Sequence, residues 1–432
     1  MVRGRLPPPL PTAKEEGEPM VRQLLFAVCV PLVFATTVSA TPPALTFSGQ
    51  VRTRSEYDDR SFTSWAGSYF YTDMRTRFGI AADIDTSVHA FIQFQDSRRF
   101  GALANDRPAT STNTDNKNVD LHQAWLAVDN FPVRNLRFQA GRFELSFGNE
   151  RVIGAGDWHN VSRAFEGLNL SFKESNTLTN LFALQLIEGT SGKLAEEYML
   201  YGSNVSLQKL RLDLLLLYEY DSDCLYRDCE RMRRLSLGGY FNRQLGNVDL
   251  VSNAVYQMGS LYQTPSTPKQ DIAAYLLTAE AGMSTGPKKT RVALGVDWAS
   301  GDDNASLGDM TAYDNLYYTG HKFRGFMDYY LTSSSTSNRG LLDLMLRFKH
   351  EPQKGWIVRW DLHRFATAKA YAVAGDPKKH GLGWEADLVA TTTRVKGFKF
   401  EMGAATFLPD ESYYGVAADP GFWTYLSAAV DF

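Results

Sequence analysis

The 432-residue chain carries 45 Lys and Arg against 48 Asp and Glu, a net charge of −3, which excludes a globally basic nucleic-acid binder. Hydrophobic residues at 44%, charged residues at 22% and a mean hydropathy of −0.28 exclude both a helical membrane protein and a disordered chain. Aromatic content of 13% with 34 Gly leaves two classes, a soluble β protein and a membrane barrel.

Residues 1–19, with LPPPLP and KEEGEP, are unlike any targeting segment and are expected to be a spurious N-terminal extension, translation starting at Met20. Residues 20–40 read as a signal peptide. Arg22 supplies the positive region, LLFAVCVPLVFA the apolar stretch, and Val38, Ser39 and Ala40 the small-residue cleavage site. About twelve apolar residues broken by Pro31 are too few to span a bilayer as a helix. Residues 41–432 are then expected to form one domain.

From there the chain alternates apolar and polar residues. Strands are expected at Leu45–Tyr57, Tyr71–Asp83, Ser87–Ser97, Val119–Asp129, Asn135–Phe143, Ala164–Lys173, Asn180–Glu188, Glu197–Gln208 and Leu210–Tyr220. The series continues with Met232–Gln244, Asn247–Met258, Ile272–Ser284, Thr290–Ala299, Leu341–Lys349, Gly355–Phe365, His380–Thr391, Lys396–Phe407 and Phe422–Phe432. Links after even-numbered strands are short, such as DIDT, QLGN and HEPQKG. Those after odd-numbered strands are mostly long and polar, as in 99–118, 144–163 and 301–340. Sorting of short turns to one rim and long loops to the other marks an up-and-down barrel; a soluble sandwich has no reason to do so.

The strand faces agree. Val88, Ala90, Ile92 and Phe94 share one side, His89, Gln93, Gln95 and Ser97 the other, and the apolar faces end in aromatics, as a membrane-interface girdle does. The terminal FWTYLSAAVDF ends on Phe432, like the closing strand of bacterial outer-membrane barrels. The expected fold is all-β: a transmembrane up-and-down antiparallel β-barrel of about eighteen strands in a single chain.

Between Phe138 and Phe172 the chain reads FQAGRFELSFGNERVIGAGDWHNVSRAFEGLNLSF, with GRxELxxG, an RVIG–DW loop and RxFEG in order. LGVDWASGDDN (294–304), YDNLYYTGHKFRGFMD (313–328) and VDLHQAWLAV (119–128) follow the same pattern. These motifs resemble the alginate-export family of outer-membrane barrels. The resemblance covers essentially all of residues 41–432 and implies an eighteen-stranded barrel forming a polysaccharide conduit gated by inward-folding loops.

A channel needs a polar lining and a constriction whose charge selects the solute. Inward parity gives Arg52, Arg54, Asp73, Arg75, Arg77, Gln93, Arg137, Arg211, Asp213 and Arg359 as pore-lining, substrate-selecting candidates. Guanidinium groups bind carboxylate and sulfate bidentately, so such a wall suits an anion; the same arginines can instead pair with lumenal acids and hold the wall. The glycine-punctuated loop 144–163 offers Arg142, Glu144, Arg151, Asp157, Trp158, Asn160 and Arg163 as constriction or anchoring residues, with Trp158 as a stacking face for a sugar ring. Cys224 and Cys229 are read as a loop disulfide, two free thiols being the alternative. Asp302, Asp303 and Asp309 suggest a structural calcium without EF-hand spacing; otherwise no cofactor is expected.

No HExxH, GxSxG or Walker A pattern is present, so an enzyme is not expected. The leading expectation is a monomeric outer-membrane channel for a polar, anionic or carbohydrate solute, in contact with outer-membrane lipid and inserted by the barrel-insertion machinery, with no nucleic-acid partner. A general small-solute porin is the alternative, and a barrel enzyme or adhesin a third.

Overall fold

A computed structural model describes residues 43–62, 67–100, 116–188, 197–222, 231–262, 269–286, 289–303, 308–373, 376–415 and 418–432. The strands are β1 (Ala44–Asp59), β2 (Tyr69–Asp83), β3 (Val88–Arg99), β4 (Asn116–Asp129), β5 (Leu136–Phe143), β6 (Phe165–Glu174), β7 (Thr177–Glu188), β8 (Glu197–Leu207) and β9 (Leu212–Asp221). They continue as β10 (Arg231–Leu245), β11 (Val248–Tyr262), β12 (Gln270–Thr285), β13 (Thr290–Ala299), β14 (Leu341–His350), β15 (Trp356–Val373), β16 (Asp376–Thr392), β17 (Phe398–Pro409) and β18 (Gly421–Asp431). Each pairs antiparallel with its sequence neighbours, and β1 also pairs with β18, closing an 18-stranded ring. At the seam, Gly49 and Phe432 exchange backbone hydrogen bonds of 2.7 and 3.0 Å.

The alternation is that of a wall between lipid and water. Leu45, Phe47, Phe78, Ile92, Phe94, Leu126, Leu168 and Leu294 are exposed on the outside, while Arg54, Arg75, Gln95, Glu219, Arg234 and Glu385, of opposite parity, are buried within. The short-turn rim is the periplasmic end of such a barrel. β15 and β16 run well past the expected Gly355–Phe365 and His380–Thr391 and form a long hairpin at the other rim.

Two long links turn inward, 144–164 between β5 and β6 and, among the described residues, 308–340 before β14. Their apolar side chains pack against the wall: Phe143, Ile153, Phe165, Leu200, Leu217, Tyr313, Tyr330, Phe365 and Phe407 are all buried in one cluster. The barrel interior thus contains a packed core of the kind a soluble domain has. Gly141 and Gly167, the glycines of the GRxEL and RxFEG motifs, lie opposite each other on β5 and β6 with φ of 124° and 153°. A Cβ at Gly141 would lie 2.2 Å from the Ala124 carbonyl oxygen, and one at Gly167 2.1 Å from that of Ala183. Only glycine fits where the wall turns into the loop. A single turn of helix, α1 (Glu411–Tyr414), is capped by Asp410, which accepts from Ser412 N.

Candidate pore constriction and cation-lined cavity

The arginines of β1 and β2 reach the tip of the 144–164 loop. Arg52 donates to the carbonyls of Asp157 (2.7 Å) and His159 (2.9 Å), and Arg54 to that of Trp158 (2.7 Å). Arg75, fully buried, donates to the carbonyls of Asp157 and His159 (3.2 Å each), to Gln50 Oε1 (2.6 Å), and pairs with the Asp157 carboxylate at 2.9 Å. Arg77 contacts Asp157 Oδ1 at 3.2 Å, Gln95 Oε1 at 2.7 Å and the Ser162 hydroxyl. Asn160 completes the seam, donating to the Met74 carbonyl at 3.1 Å. Fixed guanidinium forks against successive carbonyls clamp the loop tip to the wall. The Asp157 side chain is more than half exposed; partial desolvation opposes its ionisation, but Arg75, Arg77 and Arg52 outweigh it and hold the carboxyl below its ordinary range.

The second loop is joined to the first. Ile153 bridges Tyr317 in a parallel pair, with Gly154 N to Tyr317 O at 2.9 Å and Tyr317 N to Val152 O at 3.1 Å. Arg163 donates to the carbonyls of Gly154 (2.7 Å) and Tyr317 (2.5 Å), and Arg151 pairs with Asp297 on β13. Across the lumen Arg234 holds Glu219 and Asp314 at 2.6 Å each, so the second loop is pinned to β9 and β10. Near β16, Met327 N donates to Glu385 Oε1 at 2.9 Å. The loops meet where Trp158 stacks on His321, centroids 3.8 Å apart at 7°. The other face of Trp158 carries Arg54 at 4.1 Å. Trp158, expected as a stacking face for a sugar ring, thus packs between His321 and Arg54 and is only partly buried.

On the periplasmic side of this stack lies a cavity of about 300 Å³, roofed by Trp158, His321, Lys322 and Phe326 and walled by the ends of β12–β15, β17 and β18. Arg291, Lys322, Arg347, Lys349, Arg359 and Lys399 line it against Glu280, Asp361 and Glu401. Arg291 pairs with Glu280 at 2.6 Å and with Asp249, Arg347 with Glu280 at 3.1 Å, and Lys399 with Glu401 at 3.2 Å. Lys349 stands opposite Arg359 across β14 and β15, and opposite Arg291 across β13. Among the described residues no carboxylate pairs with Lys349 or Arg359. Like charges facing each other across strands repel, and here they border an open cavity.

Other expected residues fall elsewhere. Arg211 lies in the β8–β9 turn with φ of 55°, exposed, and not on a lumenal strand. Arg142 points outward, donating to Glu166 at 2.9 Å, because inward parity on β5 belongs to Arg137, Gln139 and Phe143. Arg137 pairs with Asp129 at 2.8 Å near the short-turn rim, and Asp73, buried, accepts from Arg99 at 3.0 Å. Gln93 accepts from Gln123 at 3.2 Å; Asp213 borders a small cavity beside Phe147 and Tyr240. Glu144 contacts His122 at 2.8 Å. Asp302 is buried, accepting from Thr311 N, while Asp303 is largely exposed toward Lys369 and Asp309 is exposed. The three do not converge, and among the described residues no group of His, Cys, Asp and Glu is placed to hold a metal ion. Cys224 and Cys229 lie outside the described residues. Sequence reasoning missed Lys349, Arg291, Lys322, Lys399, His321 and Asp314; alternation along DLMLRFKH puts Asp343, Arg347 and Lys349 on the same side and offered the signal for Lys349.

A closed eighteen-stranded ring with an apolar exterior and a polar interior narrowed by its own loops defines an outer-membrane barrel channel. The model of the Alginate export family matches residues 44–413, and the chain belongs to that family. No curated protein matches it in sequence. By fold it is similar to Pseudomonas aeruginosa OccK2 (OpdF), with TM-score 0.59 and 13% identity over 90% of this chain and 97% of that one. The same protein in complex with glucuronate gives 0.56 and 12%, over 90% and 98%. P. aeruginosa OpdK with vanillate gives 0.57 and 11%, over 89% and 98%.

Proposed function

We propose that the chain is a monomeric channel for a small anionic or carbohydrate solute, and that the cavity beneath the Trp158–His321 stack is its selecting element. The observation that carries this reading is the facing pair Lys349 and Arg359, with no carboxylate partner among the described residues, on a cavity of about 300 Å³. That volume is at the lower end of small-molecule sites. A carboxylate or sulfate entering it relieves the repulsion between the two cations and takes up bidentate hydrogen bonds from Arg359. Neighbours of the same fold hold glucuronate and vanillate, both carboxylates. In this reading the Arg52–Arg77 ladder positions the loop, and selectivity comes from the opposite wall. Residues 20–40 act as the signal peptide and 41–432 as the barrel.

The test is solute flux into liposomes containing the refolded barrel. Glucuronate is expected to enter faster than glucose. Equal rates for the two would favour a general porin.

A further inference from the structure

The sequence RMRR at the start of β10 divides by parity. Met232 and Arg234 turn inward and are buried, Arg234 against Glu219. Arg231 and Arg233 turn outward and are exposed on the lipid side of the wall. Each lies against a tyrosine of a neighbouring strand: Arg231 over Tyr262 at 4.8 Å, opposite it in register, and Arg233 over Tyr220 at 5.5 Å, also opposite. Among the described residues neither arginine has a carboxylate or hydrogen-bond partner. Lys269, exposed at the start of the next hairpin strand, adds a third cation beside Asp271.

These residues sit at the long-loop rim, the outer-leaflet end of such a barrel. Toward the mid-plane the same face continues with Leu237, Tyr256, Leu214 and Leu216, all exposed. Arginine on a lipid-facing strand is unfavourable unless it is at headgroup depth, and there it is drawn to anions. Arg231 leans over Tyr262 of β11 and Arg233 over Tyr220 of β9, to either side of β10, so the two cations are spread along the rim and can each take one phosphate of a bisphosphorylated headgroup. The tyrosine faces hold them in place by cation–π contact.

We propose that Arg231 and Arg233, with Lys269, form a docking site for the phosphorylated headgroup of an outer-leaflet glycolipid, its acyl chains lying on the apolar band below. Charge complementarity and the continuous apolar surface beneath the cations select a lipid over a free anion, which gains nothing from that surface.

The test is native mass spectrometry of the refolded barrel in detergent, titrated with bisphosphorylated lipid A. Wild type is expected to retain the lipid, and R231Q/R233Q to bind it about 25-fold more weakly, two cations each contributing about fivefold. R231K/R233K is expected to stay near wild type, which separates charge from misfolding. Dephosphorylated lipid A should bind wild type as weakly as the intact lipid binds R231Q/R233Q. Equal affinity of R231Q/R233Q and wild type would overturn the proposal. So would displacement of the lipid by millimolar inorganic phosphate, which would mark a free-anion site.

Discussion

Trp158 and His321 come from loops more than 150 residues apart in the chain and stack face to face at 3.8 Å, making one body of two separately anchored plugs. Replacing either by alanine removes an aromatic contact worth about 1 kcal/mol beyond its buried area. W158A and H321A are expected to raise single-channel conductance and to add flicker between levels. Traces matching wild type would place the constriction elsewhere.

Arg75 is the most buried of the clamping arginines. R75Q loses its bonds to two loop carbonyls and the Asp157 carboxylate, a cost of about 3 kcal/mol. The barrel is expected to fold, since these contacts lie inside a closed ring, but the loop should be released. Limited trypsin digestion should then cut after Arg151 or Arg163, and should leave both intact in wild type. R75K should rescue only in part, because an ammonium cannot serve two carbonyls and a carboxylate in one plane.

The clamp also sets a pH dependence. Because the folded-state pKa of Asp157 is lowered by Arg75 and its neighbours, despite partial desolvation, its contribution is complete above the ordinary carboxylate pKa of about 3.9 and is lost as pH falls through the folded value. Conductance should be flat from pH 7 to about 5 and rise below about 4. D157N should lower the response to acid; an unchanged acid response in D157N would assign it to another group.

Gly141 and Gly167 give a folding prediction. G141A and G167A each force a methyl group onto a neighbouring carbonyl oxygen at a positive φ. Both should reduce the yield of the heat-modifiable folded band on gels, and the double variant should abolish it. The two glycines of the family motif between residues 138 and 172 are thus a backbone requirement.

The strands were legible because lipid demands an apolar residue at every second position, and that demand reaches only as far as the bilayer does. Beyond Phe365, β15 continues through small and polar residues with no apolar face to read, so its upper half could not be anticipated. Arg211 was misplaced for a related reason: Leu210 and Leu212 keep the alternation going through a turn that has neither Gly nor Pro, and the reversal shows in the Leu210 N to Leu207 O and Arg211 N to Gln208 O bonds. Parity could assign Arg52, Arg54, Arg75 and Arg77 to the inner face, but not whether they meet solvent or a loop, since that depends on contacts 80 or more residues away. For Lys349 and Arg359 the deciding fact is which side chains face each other across β13, β14 and β15, and register is set by pairing that no single strand encodes.

In the proposed channel Lys349 and Arg359 select the solute's charge. The direct measurement is the reversal potential of wild type and K349Q/R359Q in planar bilayers under a KCl gradient. Wild type should prefer anions, and the double variant should shift toward the potential of an unselective pore with its conductance still present. An unchanged reversal potential in the double variant would place charge selection away from Lys349 and Arg359.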